Sequence, residues 1–396
     1  MTPLEPAAVD AAALARAGME AMRQGQPAVA RERFLRIVEA GKADASIWLA
    51  LAHACRDLDD TPGKLEAIER TLALDSRNLR ARLLKADHLA AVGDGRAAAT
   101  FYASVLRLAP PMDQLPPDLR QEMARAQALN QRYAAEYEAF LRERMSERGY
   151  EQGRSSSRFA QSLDLMFGRK QIYQQQPRRF YFPELPQIQF YDRAMFPWLD
   201  AVEAATNDIR AELFEVLEDQ SAFTPYLESN GERPHHDAHG LLDNPDWGAF
   251  YLWRNGEAVA ANLARCPKTA AALAEAPLDH IPGRAPSVLF SLLRPGTRIP
   301  PHHGFVNTRL ICHLPLVVPG ECGFRVGNEV REWVEGQAWV FDDTIEHEAW
   351  NDSDWLRVVL LFDIWRPELS PEERSLVSSM FQTIDAYGQG GGTWDD

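Results

Sequence analysis

Two clusters of residues could hold a catalytic metal ion in this chain of 396 residues. The first is His235-His236-Asp237, which contains a literal His-x-Asp motif, and the second is His302-His303-Gly304. Non-haem iron(II) oxygenases use two histidines and one carboxylate, which leaves open positions for co-substrate and oxygen. Motif counting alone favours the first cluster, because Gly304 stands where the second cluster would need its carboxylate.

The surroundings of the second cluster reverse this order. His302 follows an apolar segment and the turn RPGTRIPP, and His347 follows the apolar segment AWVFDD. Arg357 comes ten residues after His347, at the start of another apolar segment. The first cluster lies in the polar segment 228–246, which contains glycine and proline. We therefore predict that His302 and His347 bind the metal, and that 228–246 is either a solvated loop or a flank of the substrate pocket.

A predicted strand over 309–317 has two different faces. Side chains alternate along a strand, so Arg309, Ile311 and His313 share one face while the other face is wholly apolar. A polar stripe of this kind predicts a strand that lines a wet pocket. Arg309 and Ile311 are therefore candidates for contact with the substrate. If 228–246 flanks the pocket, the substrate-pocket candidates also include His235, His236 and Asp237.

Arg357 opens the segment RVVLLFDIW, which is apolar on both faces apart from Arg357 and Asp363. A guanidinium in such a strand is costly to bury unless it meets an anion. The partner is either a carboxylate of the protein or the carboxylate of a ligand, whose geometry suits the arginine fork.

These residues require a β-rich scaffold. The apolar runs lie at 287–293, 309–318, 322–326, 338–341 and 356–364. Turn signals separate them, among them Pro319-Gly320. Short strands at close spacing are typical of a sandwich, barrel or jelly roll. A double-stranded β-helix (jelly roll) with flanking helices best carries the predicted chemistry.

The N-terminal part is all-α and repetitive. Units at 11–44, 45–78 and 79–112 align small residues at Gly18, Ala52 and Ala86, and larger apolar residues at Phe34, Ile68 and Tyr102. This register of 34 residues resembles tetratricopeptide repeats, whose paired helices stack on one another. We predict three helical hairpins and a capping helix over 117–147. The repeats either bind a peptide or partner, or only cap or dimerise the rest.

Composition limits the partners. The net charge of -15 argues against broad binding to nucleic acid or to an anionic membrane. Four scattered cysteines, no basic leader and no long apolar run predict a cytoplasmic protein without a membrane span. The predicted domains are helical repeats with their capping helix over 1–147, a linker over 148–179, an oxygenase domain over 180–375 and a tail over 376–396.

The segment from PHHGFVNTRLICHLPLVV to DIWRPELSPEE resembles the aspartyl/asparaginyl β-hydroxylase family. The resemblance spans roughly 180–375, is dense from 287 to 374 and includes FYFPELP and CPKT. Animal members of that family also join a tetratricopeptide region to this domain. In the family a glycine stands in place of the carboxylate ligand, and Gly304 matches it.

The resemblance implies an enzyme that uses iron(II), 2-oxoglutarate and O2, with ascorbate as a supporting reductant. His302 and His347 correspond to the iron ligands, and these two histidines with Arg357 form the catalytic set. The corresponding 2-oxoglutarate contacts are Trp247, Ser291, His313 and Arg357. Asp342 and Asp343 near His347 either orient that ligand or cap a turn.

One departure from the family concerns the substrate. The family strand often reads RLRxHL, whereas this chain has isoleucine at position 311, which removes a positive charge. The first expectation is β-hydroxylation of an Asp or Asn residue in a peptide or protein. Another is the same chemistry on a free amino acid, a natural-product intermediate or a lipid acyl chain. A third, of another class, is a non-catalytic repeat scaffold that senses iron or 2-oxoglutarate.

Overall fold

The computed structural model describes residues 10–229 and 240–387. The chain divides into two compact units, 1–169 and 170–396. The first is helical, and the second contains two β-sheets. Within the described ranges, no helix combines the length and the apolar character needed to cross a membrane.

In its described part, the first unit contains three helical hairpins, a single 3-10 turn (Met112–Gln114) and two further α-helices. The hairpins are α1 (Ala11–Arg23) with α2 (Pro27–Glu39), α3 (Ala45–Asp57) with α4 (Thr61–Leu74), and α5 (Leu79–Ala91) with α6 (Gly95–Leu108). Their first helices begin at 11, 45 and 79, so the predicted register of 34 residues is confirmed. The long helix α7 (Pro117–Glu147) and the shorter α8 (Ser157–Met166) follow.

Local sequence explains the hairpins. Asp44 begins α3 by accepting a hydrogen bond from the Ile47 backbone N–H at 2.9 Å, which satisfies one of the donors at the helix start. Gly18 lies against the ring of Phe34, and a Cβ atom there would lie 2.5 Å from Phe34 Cε1. The predicted role of the small residue, close approach of paired helices, is therefore confirmed at Gly18.

The second unit contains eleven strands within the described residues. They are β1 (Thr224–Pro225), β2 (Trp247–Arg254), β3 (Glu257–Ala258), β4 (Val288–Leu293), β5 (Thr297–His302), β6 (Arg309–Val317), β7 (Cys322–Val326), β8 (Glu329–Glu332), β9 (Trp339–Phe341), β10 (His347–Asn351) and β11 (Arg357–Trp365). One sheet has the order β1-β2-β4-β11-β6-β9, with β3 beside β2, and the other has the order β5-β10-β7-β8. The predicted fold class, helical repeats followed by a jelly roll, is confirmed.

The larger sheet has an apolar core on each side. Leu310, Cys312 and Leu314 of β6 point to the outer core, which the helices α9 (Leu199–Ala204) and α10 (Thr206–Leu217) help to form. Two shorter helices, α11 (Ala260–Arg265) and α12 (Pro267–Ala272), follow β3. Ile311 points to the inner core, which also receives side chains from the smaller sheet. The predicted alternation of β6 is confirmed, and its mixed face lies between the two sheets.

The observed elements differ from two predicted domain boundaries. Residues near 175–178 belong to the second unit, because Gln176 donates a backbone hydrogen bond to Thr344 at 2.7 Å and Arg178 to Gly304 at 3.0 Å. The boundary at 375 falls inside α13 (Pro371–Tyr387). Buried Val377 and Phe381 of α13 join an apolar cluster of this unit, so the helix is part of the domain rather than a tail. Residues 388–396 lie outside the described ranges.

Candidate functional site

His302 and His347 lie side by side. His302 is the last residue of β5, His347 is the first of β10, and the two are directly opposite in the antiparallel pairing of these strands. Directly opposed residues project to the same face of a sheet, so the two rings meet. Their centroids are 4.0 Å apart. Strand pairing thus joins two histidines that are distant in the chain.

Both rings are oriented by backbone carbonyl groups. His302 Nδ1 lies 2.8 Å from the carbonyl oxygen of Pro300, and His347 Nδ1 lies 3.1 Å from that of Ile345. In the tautomer that donates these hydrogen bonds, each Nε2 keeps its lone pair. Burial lowers the pKa of His302 to about 4 and that of His347 well below its usual value. Both are therefore neutral imidazoles, the form that binds metal ions.

The donor set around this pair is small. Among residues 10–229 and 240–387, no group of three or more His, Cys, Asp and Glu side chains could hold a metal ion. At Gly304, a Cβ atom would lie 2.1 Å from Asp343 Oδ2, so a side chain at 304 would displace that carboxylate. Two imidazoles fit a metal that takes its remaining ligands from water and small molecules.

Asp342 and Asp343 do not orient His347. Asp342 accepts a hydrogen bond from the Thr344 backbone N–H at 3.0 Å and also forms an ion pair with Arg366. It therefore caps a turn, which was one of the two predictions. Asp343 lies 3.6 Å from Arg309, and burial raises its pKa to about 7. Within the described chain, His347 Nδ1 is opposed by a backbone carbonyl group and not by either carboxylate.

Arg357 is a buried cation that has no acidic neighbour among the residues that the structure describes. It begins β11 opposite Leu293 and is 2% exposed. No carboxylate of the described residues lies within ion-pair distance of it, and its Cζ is 5.6 Å from the centroid of the Trp333 ring. Burial lowers the pKa of this guanidinium to about 10. Of the two partners expected from the sequence, a carboxylate of the protein is not found among the described residues, and a ligand carboxylate stays a prediction.

Trp247, Ser291 and His313 share the inner face with Arg357. Trp247 and Arg357 are both opposite Leu293, on either side of β4. Trp247 Nε1 donates a hydrogen bond of 3.3 Å to Ser291 Oγ. His313 is buried, and within the described ranges its Nδ1 has no hydrogen-bond partner. The inner face therefore gathers residues from four strands, β2, β4, β6 and β11.

Arg309 and Ile311 have different surroundings from those expected of a wet pocket. Arg309 Nη1 donates a hydrogen bond of 2.6 Å to Asp363 Oδ2, and its Nη2 is 3.6 Å from Asp343 Oδ2. Arg309 is therefore paired with carboxyl groups of the protein, and its contact with a substrate stays a prediction. Ile311 is 7% exposed and belongs to the apolar inner core. The candidates His235, His236 and Asp237 lie outside the described residues.

Aromatic side chains that the sequence did not single out complete the site. Trp333 stacks on His313, with ring centroids 5.6 Å apart, and Tyr226 stacks on Trp247 at 4.0 Å. Phe324 lies 5.2 Å from the ring of His313 and 6.1 Å from that of His347. Trp333 and Tyr226 lie outside the long apolar runs, so no periodic pattern in the sequence indicated that they belong to the site. Their contacts are formed only by tertiary packing.

Comparisons with known proteins agree with the position of this site. Residues 203–367 match the family model described as Aspartyl/Asparaginyl beta-hydroxylase. The chain is 38% identical over 184 residues to the ornithine lipid ester-linked acyl 2-hydroxylase of Rhizobium tropici, covering 46% of this chain and 62% of that protein. It is 40% identical over 136 residues to the aspartyl/asparaginyl beta-hydroxylase of Mus musculus, covering 34% of this chain and 18% of that protein.

A third relative is the aspartate beta-hydroxylase domain-containing protein 2 of Homo sapiens. It is 32% identical over 214 residues, which cover 52% of this chain and 55% of that protein. The chain thus spans less than two thirds of the length of each of these relatives.

Proposed function

We propose that this chain is an iron(II)- and 2-oxoglutarate-dependent hydroxylase, because residues 203–367 match the family model described as Aspartyl/Asparaginyl beta-hydroxylase. One observation carries the proposal. A pair of neutral imidazoles lies in the same inter-sheet site as Arg357, a buried guanidinium with no carboxylate partner in the described chain. Two aromatic rings join these groups: Phe324 lies 5.2 Å from the ring of His313 and 6.1 Å from that of His347, and Trp333 lies 5.6 Å from both His313 and the Arg357 guanidinium.

His302 and His347 would hold the iron, which when bound supplies the activation of O2. Arg357 would bind the distal carboxylate of 2-oxoglutarate, with Ser291, Trp247 and His313 around it. In the overall reaction, one oxygen atom of O2 replaces C–H by C–OH in the substrate. The other oxygen atom appears in succinate, and 2-oxoglutarate loses carbon dioxide. Ascorbate would support the reaction as a reductant.

The chain's own residues prepare the site for this reaction. The carbonyl groups of Pro300 and Ile345 hold the two imidazole rings, so little reorganisation is needed when the metal binds. Trp333 and Phe324 exclude water around Arg357 and His313, which strengthens the attraction between the guanidinium and a carboxylate.

For the substrate, the family suggests an Asp or Asn residue of a peptide or protein, which the helical repeats would help to bind. A lipid acyl chain is a second candidate, favoured by the apolar surroundings of Ile311 and by the similarity to an acyl 2-hydroxylase. A free amino acid or a natural-product intermediate would be hydroxylated by the same reaction. A scaffold that only senses iron or 2-oxoglutarate would bind both without turnover.

The test compares two neighbouring histidines. The protein is incubated with iron(II), ascorbate, 2-oxoglutarate and candidate substrates, and succinate is measured together with Mn(II) binding. We expect His302→Ala to abolish substrate-stimulated succinate and to weaken Mn(II) binding. His303→Ala is the control, because His303 has no place in the imidazole pair. Full turnover by His302→Ala would show that the metal assignment is wrong.

A further inference from the structure

The charged and apolar residues on the inner face of β6 (the β6 wall) limit which chemical group of a substrate can bind next to them. We infer that the substrate presents an uncharged group, an aliphatic chain or an amide, to this wall, and that an aspartyl side chain is not the group hydroxylated. The inference rests on the proposed function and narrows its substrate class.

The first argument is that Arg309 is already paired. Its guanidinium contacts Asp363 at 2.6 Å and Asp343 at 3.6 Å, and it is 7% exposed. Asp279 is fully buried beside this group, and its carboxyl group interacts electrostatically with Asp363 and with Arg309. Three carboxyl groups thus surround one guanidinium. An added substrate carboxylate would therefore meet a guanidinium that is already compensated by the protein, and would gain no complementary charge here.

The second argument is the position of Ile311. It lies between Arg309 and His313 on the inner face of β6 and is opposite Phe341 of β9. Its neighbours in the inner core include Phe324 and Trp333. A carboxylate that enters such a wall loses its hydration without gaining a partner, whereas a methylene chain gains apolar contact. An amide loses less than a carboxylate, because it is uncharged.

The third argument is that Arg357, the second buried guanidinium of the inner face within the described residues, already has a proposed ligand. Arg357 is assigned to the co-substrate, and one guanidinium fork binds one carboxylate well. A further cation, Arg178, is exposed and is attached to the segment after β5 by its backbone hydrogen bond to Gly304. Because Arg178 is solvated, it suits a substrate group that lies far from the hydroxylated carbon. It does not suit a carboxylate attached directly to that carbon.

The experiment uses the full-length protein and isosteric substrates. Two peptide sets are identical except that the central residue is asparagine in one and aspartate in the other; a third set has leucine there, and a total lipid extract is the fourth probe. Reactions contain iron(II), 2-oxoglutarate, ascorbate and ¹⁸O₂, and mass spectrometry locates the labelled hydroxyl group. Peptide binding to the protein loaded with Mn(II) and 2-oxoglutarate is measured in parallel by fluorescence polarisation.

We expect label at asparagine, at leucine or on an acyl chain, with the aspartate set labelled at least tenfold less and bound more weakly. Equal or greater labelling of aspartate overturns the inference while leaving the proposed function intact. No label in any set overturns the inference. The proposed function is overturned with it if, in addition, no reaction converts 2-oxoglutarate to succinate and the protein binds neither Mn(II) nor 2-oxoglutarate.

Variants of Ile311 test whether this wall is the cause. Ile311→Arg is expected to raise the aspartate-to-asparagine ratio tenfold or more in binding, and Ile311→Met, the uncharged control, to leave it unchanged. If Ile311→Arg does not fold, the wild-type ratio alone decides. Arg178→Gln is expected to leave the ratio unchanged. A ratio that responds to Arg178→Gln would show that the solvated cation, not the β6 wall, selects the substrate.

Discussion

Two regions of the inner face each bury an arginine, and their surroundings are opposite. At one end, Arg309 of β6 faces Asp363 and Asp343. At the other end, Arg357 of β11 has an aromatic ring beside it and, within the described residues, no carboxylate. The pairing of β6 with β11 places Arg309 opposite Trp365, eight residues along the strand from Arg357.

The difference separates an arginine that stabilises the fold from one that awaits a ligand. Charges buried in pairs are compensated within the native protein, and removing one partner leaves the other unpaired. A buried cation without a partner is a cost to folding that a bound anion offsets. Substitution of the two residues by the same apolar side chain should therefore have opposite consequences for stability.

The largest expected effect is on the stability of Arg309→Met. The substitution leaves Asp363 and Asp343 buried without the guanidinium that they face. We expect the free energy of unfolding to fall by about 3–5 kcal/mol, measured by urea denaturation at neutral pH. Unchanged stability would mean that the carboxyl groups are not charged in the native state, and the contrast between the two arginines would fail.

The next effect concerns the affinity of Arg357→Met for the co-substrate. Loss of the charged partner should weaken binding of 2-oxoglutarate to the Mn(II)-loaded protein by roughly 30-fold or more, about 2 kcal/mol or more. The melting temperature without ligand should not fall, because an unpaired buried charge has been removed. Titration calorimetry and thermal denaturation of the same samples test both statements. Unchanged affinity would contradict the assignment of Arg357 to the ligand.

The smallest expected effect is a change in pH dependence at Asp343. Its pKa of about 7 in the folded protein lies above the ordinary value of 3.8, so between these values the native state binds a proton that the unfolded state does not. This contribution to stability is present at acidic pH and is lost as the pH rises through 7. We expect Asp343→Asn to reduce the stability difference between pH 5.5 and pH 8, measured by urea denaturation. If Asp343→Asn and the wild-type protein showed the same stability difference between these two pH values, the raised pKa of Asp343 would be contradicted.

Much of the scaffold could be predicted because its signals are local. The repeat register follows from small residues at the positions of Gly18, Ala52 and Ala86, which recur every 34 residues. Larger apolar residues recur in the same way at Phe34, Ile68 and Tyr102. The two faces of β6 follow from the alternation of side chains along a strand. The boundary at 375 was misplaced because α13 is buried through only a few side chains, and its apolar spacing is too sparse to mark it in the sequence.

The sequence by itself determined the helical repeats, the alternation of β6 and the choice of His302, His347 and Arg357 as the residues to examine. Only the tertiary structure decided which arginine is paired, because Asp363 reaches Arg309 from β11 and Asp343 reaches it from the turn between β9 and β10. It likewise decided the environment of Ile311, whose aromatic neighbours come from separate segments. The charge and type of a residue are fixed by its own position in the sequence. Whether that charge is paired, and whether the side chain is buried, depends on the residues that the fold places next to it.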